Sequence, residues 1–125
     1  MKKKLILIIA IAVGIVCLCS CTKVSEKTFV GTWRVISCQA NDNEGYGWYE
    51  LMEDGEKRTI TFNEDGTYVD NYDDSFDIGT WAYISYSEQL RLFGVLWNIH
   101  LYEKKEMELR FDGDDMSERL FLKKI

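Results

Sequence analysis

The side chains that could carry chemistry in this chain are few, and most lack partners. His100 is the single histidine among 125 residues. It alternates with Ile99 and Leu101 along an apolar stretch and so faces the other way. It reads as a solvated strand histidine, without the cysteine, serine or second histidine that metal binding or nucleophilic catalysis needs. Asp112-Gly113-Asp114-Asp115 offers hard oxygen ligands but lacks the spacing and terminal glutamate of an EF-hand calcium loop. Asp70, Asp73, Asp74 and Asp77 gather around Tyr72 and Phe76 as a second acidic run. This run reads as a solvated loop, with weak cation binding the minor option. Paired carboxylates can hydrolyse a glycoside, yet nothing in this spacing sets two of them on converging strand ends. There is no glycine-rich phosphate loop and no Gly-X-Ser-X-Gly elbow. The expectation is a protein that is not an enzyme and uses no cofactor and no metal.

Aromatic side chains are the more informative set: four tryptophans, seven tyrosines and six phenylalanines. From Phe29 onward the apolar residues that surround them alternate, and no window keeps the i, i+3, i+4 spacing of a helix. Trp33 and Val35 share a parity in a first strand, Val30 to Gln39. Ile60 and Phe62 do so in Lys57 to Asn63, and Trp81 and Tyr83 in Ile78 to Ile84. Val95, Trp97, Ile99 and Leu101 line one face of the next stretch, and Met107, Leu109 and Phe111 one face of another. Glu64-Asp65-Gly66 predicts a turn into Thr67-Tyr68-Val69, because glycine permits the positive φ that tight hairpins demand. With Trp48 to Met52, Leu90 to Leu92 and the strand around Leu120 and Leu122, about nine candidates result, eight or nine of them real.

Short strands with one apolar face each, joined by turns, describe an antiparallel meander. An open sheet would leave two bare edges and an uncovered apolar face, and no helix is available to cover it. Closure solves both problems, so the expected fold is all-β: an antiparallel up-and-down meander barrel of about eight strands. A two-sheet sandwich is the competing solution. An eight-stranded barrel is only just wide enough to be filled by side chains or to hold one small molecule. The inward parity includes Trp33, Phe62, Tyr68, Trp81, Trp97 and Phe111, so the expected lumen is small or absent, open at most at one mouth.

Composition bounds the partners. With 46% hydrophobic residues the chain has the material for one core, and its length supports one domain. Fifteen basic against 21 acidic residues give a formal charge of −6, which argues against a nucleic-acid partner. At the N-terminus, Lys2, Lys3 and Lys4 precede an apolar run from Leu5 to Cys19. That run is shorter than the roughly 20 residues a membrane span needs, and its flanks are those of a secretory signal. It ends in Leu18-Cys19-Ser20-Cys21. A large aliphatic residue three before the cysteine and a small one directly before it resemble the lipobox of bacterial lipoproteins, with an ordinary signal peptide or an uncleaved anchor as the plainer alternative.

The resemblance implies cleavage before Cys21 and attachment of diacylglycerol to its thiol, with acyl chains holding the protein on a membrane. The expected organisation is a lipoprotein signal peptide over 1–20, a polar tether over 21–28 and a barrel over 29–125. Losing the signal removes three lysines and no acid, which takes the formal charge from −6 to −9. Such a surface repels anionic headgroups and stands away from the bilayer. Thr22 follows the lipid cysteine where aspartate would favour inner-membrane retention, so the implied location is the bacterial envelope at the outer membrane. An acylated Cys21 leaves Cys38 without a disulfide partner, as a small core hydrophobe.

A second resemblance covers most of 29–125. Gly31-Thr32-Trp33 opens the first strand where lipocalins carry Gly-X-Trp. Thr59-Ile60-Thr61-Phe62, Asp65-Gly66-Thr67-Tyr68 and Gly79-Thr80-Trp81 follow in order. The set is similar to short bacterial lipocalin-like lipoproteins, although no Thr-Asp-Tyr motif and no C-terminal helix is present. A glycine two before each tryptophan leaves room for close backbone approach or a bend. The resemblance implies a small apolar or amphipathic ligand at the barrel mouth, with Trp33, Tyr68, Trp81 and Trp97 as inward candidates. Trp48, in the long segment Asn41 to Asp54 with Tyr46, Tyr49 and several acids, is the candidate lid; packing over one barrel end is its plainer role. The alternative function is a filled barrel, expected as a monomer, that docks another envelope protein as an interaction module, accessory or inhibitor.

Overall fold

The computed structural model describes residues 24–42, 45–103 and 105–125. Residues 1–20, read as a signal peptide, the lipid-attachment candidate Cys21 and the first residues of the tether lie outside the described residues. The chain begins with a single helical turn, α1 (Glu26–Phe29). Then come β1 (Gly31–Asn41), β2 (Tyr49–Glu50), β3 (Arg58–Phe62), β4 (Thr67–Tyr72) and β5 (Phe76–Thr80). They are followed by β6 (Ala82–Ile84), β7 (Gln89–Leu92), β8 (Val95–Glu103), β9 (Glu106–Asp112) and β10 (Ser117–Lys124).

Every pairing is antiparallel, and the strand order is β5-β4-β3-β1-β10-β9-β8-β7-β6. First and last meet: β1 runs beside β10 from Trp33↔Lys124 to Asn41↔Ser117. The two ends of this path, β5 and β6, are consecutive in the chain and separated by Trp81 alone. They are therefore two halves of one bent strand that leaves β4 and joins β7. The result is a nearly closed up-and-down barrel of eight staves, with β2 a two-residue addition to β1. The barrel expectation holds and the sandwich is excluded.

Two local departures from the expected strands have physical causes. Ile78 to Ile84 is broken at Trp81, whose N–H bonds to the Gly66 carbonyl at 2.9 Å and turns the backbone toward its second partner. Trp48 to Met52 shrinks to Tyr49–Glu50. There the Glu50 carboxylate reaches across to the Ser37 hydroxyl and the Cys38 N–H. It covers the irregularity in β1 between Val35 and Ser37. The predicted turn at Gly66 is present with φ +89°, and Asp65 Oδ1 accepts from the Thr67 N–H at 3.0 Å.

Inside the barrel the period-two pattern collects Trp33, Val35, Ile60, Phe62, Leu90, Leu92, Met107, Leu109, Leu120 and Leu122, all buried. Each large apolar side chain enclosed this way contributes roughly 1.5–3 kcal/mol. The segment read as tether is not free of this core: Val24 packs against it, and the next expected element starts with Phe29, fully buried at the end where β1 begins. That end is plugged: the Phe29 ring lies against Trp81 and Tyr83, and Lys124 Nζ donates to the Thr28 carbonyl at 3.2 Å. Among the described residues no helix is long and apolar enough to cross a membrane.

Candidate functional site

The inward ladder changes character along the barrel axis. β3 and β4 are registered Phe62↔Tyr68, Ile60↔Asp70 and Arg58↔Tyr72. The same parity that carries aromatic rings at the plugged end therefore carries a cation, an anion and a phenol at the other. Asp70 is only 2% exposed. Its carboxylate accepts from Arg58 Nε at 2.9 Å and Nη2 at 2.8 Å, a two-pronged pair, and from the Tyr72 hydroxyl at 3.0 Å. The Arg58 guanidinium lies 4.9 Å from the Tyr72 ring centre and 5.7 Å from that of Phe93.

This arrangement corrects the reading of Asp70 as part of a solvated loop. Asp73, Asp74 and Asp77 are exposed, whereas Asp70 sits within β4 between Tyr68 and Tyr72 and is compensated across the sheet. Burial pushes the Tyr72 phenol above its ordinary range, partly offset by the adjacent Arg58 charge. Burial works against the Arg58 charge, but the bond to Asp70 and its negative charge prevail and raise the guanidinium pKa further. Burial is also the main reason the Cys38 thiol is pushed up, and nearby Arg58 opposes it.

Phe93 completes the cluster. It occupies the two-residue turn Leu92-Phe93-Gly94-Val95 with φ +58°, followed by Gly94 at +74°. Positive φ at both central positions suits the twist of a tight hairpin but is costly for a phenylalanine. The conformation sends the ring inward, edge-on to Tyr68 at 5.2 Å and to Trp97 at 6.4 Å.

The structure brings four of the five aromatic candidates together in the lumen, in two groups. Trp33 and Trp81 belong with Phe29 and Phe62 at the plugged end. Tyr68, although level with Phe62 in the ladder, sets its ring against Phe93, which with Trp97 and Phe111 makes the second group. Trp33, Tyr68, Trp81 and Trp97 are 0%, 7%, 3% and 4% exposed. These four side chains are buried in the core and pack against other core side chains. Their indole N–H groups are engaged as well. Trp33 donates to the Phe29 carbonyl at 2.9 Å, Trp81 to Asn63 at 3.0 Å and Trp97 to Leu92 at 2.9 Å.

Trp48, expected over the mouth, lies instead on the outside of the wall. Its ring lies against the guanidinium groups of Arg119 at 4.1 Å and Arg110 at 5.2 Å, cross-strand neighbours that share the outward parity of β10 and β9. The Trp48 indole therefore covers two neighbouring cations and leaves the lumen alone. His100 is exposed, as its parity requires, with its ring edge-on to Tyr102 at 4.5 Å.

Besides a hollow of about 410 Å³ at the α1 end, lined by Val24, Tyr83, Glu88 and the inward-facing Ile99 and Leu101, two surface depressions flank these features. One, of about 420 Å³, lies beside the mouth and is lined by Glu53, Asp54, Gly55, Glu56, Tyr72, Asp73, Asp74 and Ser75. The other, of about 530 Å³, runs along the outer wall between Ile36, Gln39, Tyr102, Glu106 and Phe121. Residue pattern alone did not single out Arg58, Tyr72 as a partner of Asp70, or Phe93. The signal for the first two was present, since Arg58 is in phase with Ile60 and Phe62, and Tyr72 with Tyr68.

Compared with known proteins, the chain matches no family model, no curated protein and no solved structure.

Proposed function

We propose that this protein is a lipid-anchored, lipocalin-like module of the bacterial envelope that docks another envelope protein through its outer surface and has no enzymatic activity. The observation that carries this reading is the enclosure of the aromatic side chains: those that would line a ligand cavity pack against one another, and their indole N–H groups are used by the backbone. A barrel built this way holds its shape without a guest and leaves its loops and outer wall for recognition. The anchor reading rests on Leu18-Cys19-Ser20-Cys21 and the basic, apolar sequence before it. Acylation at Cys21 would keep the chain at the outer membrane, acting as a monomer with no nucleic-acid partner.

A second reading keeps a small amphipathic ligand, and the strained Phe93 favours it. Backbone strain concentrates at sites that use it, and Phe93, Tyr72 and Arg58 together offer an apolar ring, a phenol and a cation at the mouth. Intrinsic tryptophan fluorescence, titrated with fatty acids, sterols and glycans, separates the two. The docking reading expects no saturable change, because Trp33, Trp81 and Trp97 are already enclosed. A saturable response would replace it with the ligand reading. Cys21→Ala tests the anchor independently: membrane retention should be lost, and unchanged partitioning would refute lipidation.

A further inference from the structure

The barrel is incomplete on one side. β5 is hydrogen-bonded to β4 from Thr67↔Thr80 to Asn71↔Phe76. Among the described residues no strand pairs with its other side, since the chain bends at Trp81 and β6 goes to β7 instead. Alternate residues of an edge strand present unpaired N–H and C=O groups to the empty side. Proteins ordinarily guard such edges with lysine, proline or a bulge. Phe76–Thr80 has none of these, its guards being its shortness and the inward-facing charge of Asp77, and it exposes Phe76 at 60% and Ile78 at 65%. Asp77 lies directly across from buried Asp70, on the inner face of the sheet, yet it is exposed. It is open to solvent because the neighbouring stave of the wall is missing.

We infer that the free edge of β5 accepts an extended, basic segment of a partner protein as an added strand. This rests on the docking reading above and names the surface that reading would use. Charge selects the occupant. Asp73, Asp74 and Asp77 stand on or beside the edge, and Glu53, Asp54 and Glu56 line the adjoining depression. A second copy of the chain pairing β5 with β5 would bring two acidic edges together with no basic residue on either strand to offset them, and the register that sets Asp77 against Asp77 is destabilising outright. An anionic lipid surface is repelled for the same reason. A segment that alternates apolar residues with lysine or arginine meets both requirements: its apolar side chains lie beside Phe76 and Ile78, and its cations reach the aspartates.

The test uses the full chain in detergent micelles with a synthetic heptapeptide alternating lysine and valine as the probe. Amide hydrogen exchange across Phe76–Thr80 should slow at least tenfold when the peptide is added, with β10 unchanged. The same peptide with glutamate in place of lysine should bind at least tenfold more weakly, as should the lysine peptide to Ile78→Lys. Both Phe76 and Ile78 are exposed, so the variant keeps the core, and the wild-type exchange map needs no variant. Equal binding of the glutamate peptide, or protection confined to the outer groove, overturns the inference. So does a dimer of the wild-type chain that Ile78→Lys dissolves, since it would make a second copy the occupant. A saturable fluorescence response to a fatty acid would instead remove the docking reading and leave the exchange result standing by itself.

Discussion

Removing the Asp70 carboxylate should be among the most damaging single changes this barrel can suffer. In Asp70→Ala the Arg58 guanidinium loses both of its charge-assisted bonds, and the Tyr72 hydroxyl loses its acceptor. The Arg58 side chain is 11% exposed, so water cannot readily replace what is lost. Breaking one side of a buried ion pair costs about 3–5 kcal/mol, because an uncompensated charge stays behind. A domain of this size has a total stability of roughly 5–15 kcal/mol. The expected fall in melting temperature is then roughly 15–30 °C. Replacing both partners tells the rest of the story. Arg58→Met with Asp70→Leu removes the desolvation penalty along with the attraction and should lie within about 2 kcal/mol of the parent. Urea unfolding followed by tryptophan fluorescence measures all of these, because the enclosed indoles report loss of the interior. A single variant within about 1 kcal/mol of the parent would show that the pair is effectively solvated, and the polar end of the lumen would have to be redrawn.

The remaining expectations are quicker to state. Gly79→Ala would place a methyl 2.6 Å from the Tyr68 ring, so it should cost about 2 kcal/mol in urea unfolding. An equally stable variant would mean that the ring moves freely. Phe93→Gly should be about 1 kcal/mol less destabilising than Phe93→Ala, because glycine tolerates the positive φ that both must adopt; equal values would remove the strain argument. Burial holds the Cys38 thiol above its ordinary pKa, so the unfolded chain ionises first, near pH 8.5. Stability should therefore decline as pH rises past that point, and Cys38→Ala should flatten this part of the profile. Trp48→Ala should cost about 1–2 kcal/mol through the lost stacking on Arg119 and Arg110 and leave the quantum yield of the enclosed tryptophans unchanged.

What the sequence disclosed was governed by period two. Trp33, Phe62, Tyr68 and Trp97 each lie in a strand whose apolar residues alternate, Trp81 stands at the bend between two such strands, and each turned inward as that alternation requires. The same rule covered Arg58, Asp70 and Tyr72, but a charged residue in phase with apolar ones carries no hydrophobic signal of its own. Its burial depends on a compensating charge in the neighbouring strand, and that depends on register, which no single strand reveals. Trp48 failed for a related reason. Its segment has no periodicity, and its position is decided by Arg110 and Arg119, some 60 to 70 residues away in sequence. Phe93 was hidden by a turn whose left-handed backbone only the folded hairpin discloses.

The bend at Trp81 ties these features together. Because β6 occupies the edge of β7 at Arg91, Leu90 and Gln89, β5 cannot pair there, and the two halves of the bent strand must diverge from the corner. β7 itself ends one residue later at Leu92 and turns at Phe93-Gly94, so no β7 backbone faces β5 beyond the corner and the wall is open there. Side chains take over the missing connection. Tyr68 from β4 meets Phe93 from the β7–β8 turn, and Phe93 meets Trp97 from β8, so three rings bridge the two flanks of the gap. Arg58 lies against the same Phe93 ring and is neutralised by Asp70, which keeps a polar group at the bridge without leaving a free charge behind the opening. The Phe93 turn and the buried ion pair thus stand together beside the corner at Trp81, behind the open side of the wall. An incoming strand on β5 would cover the side that the three rings now close alone.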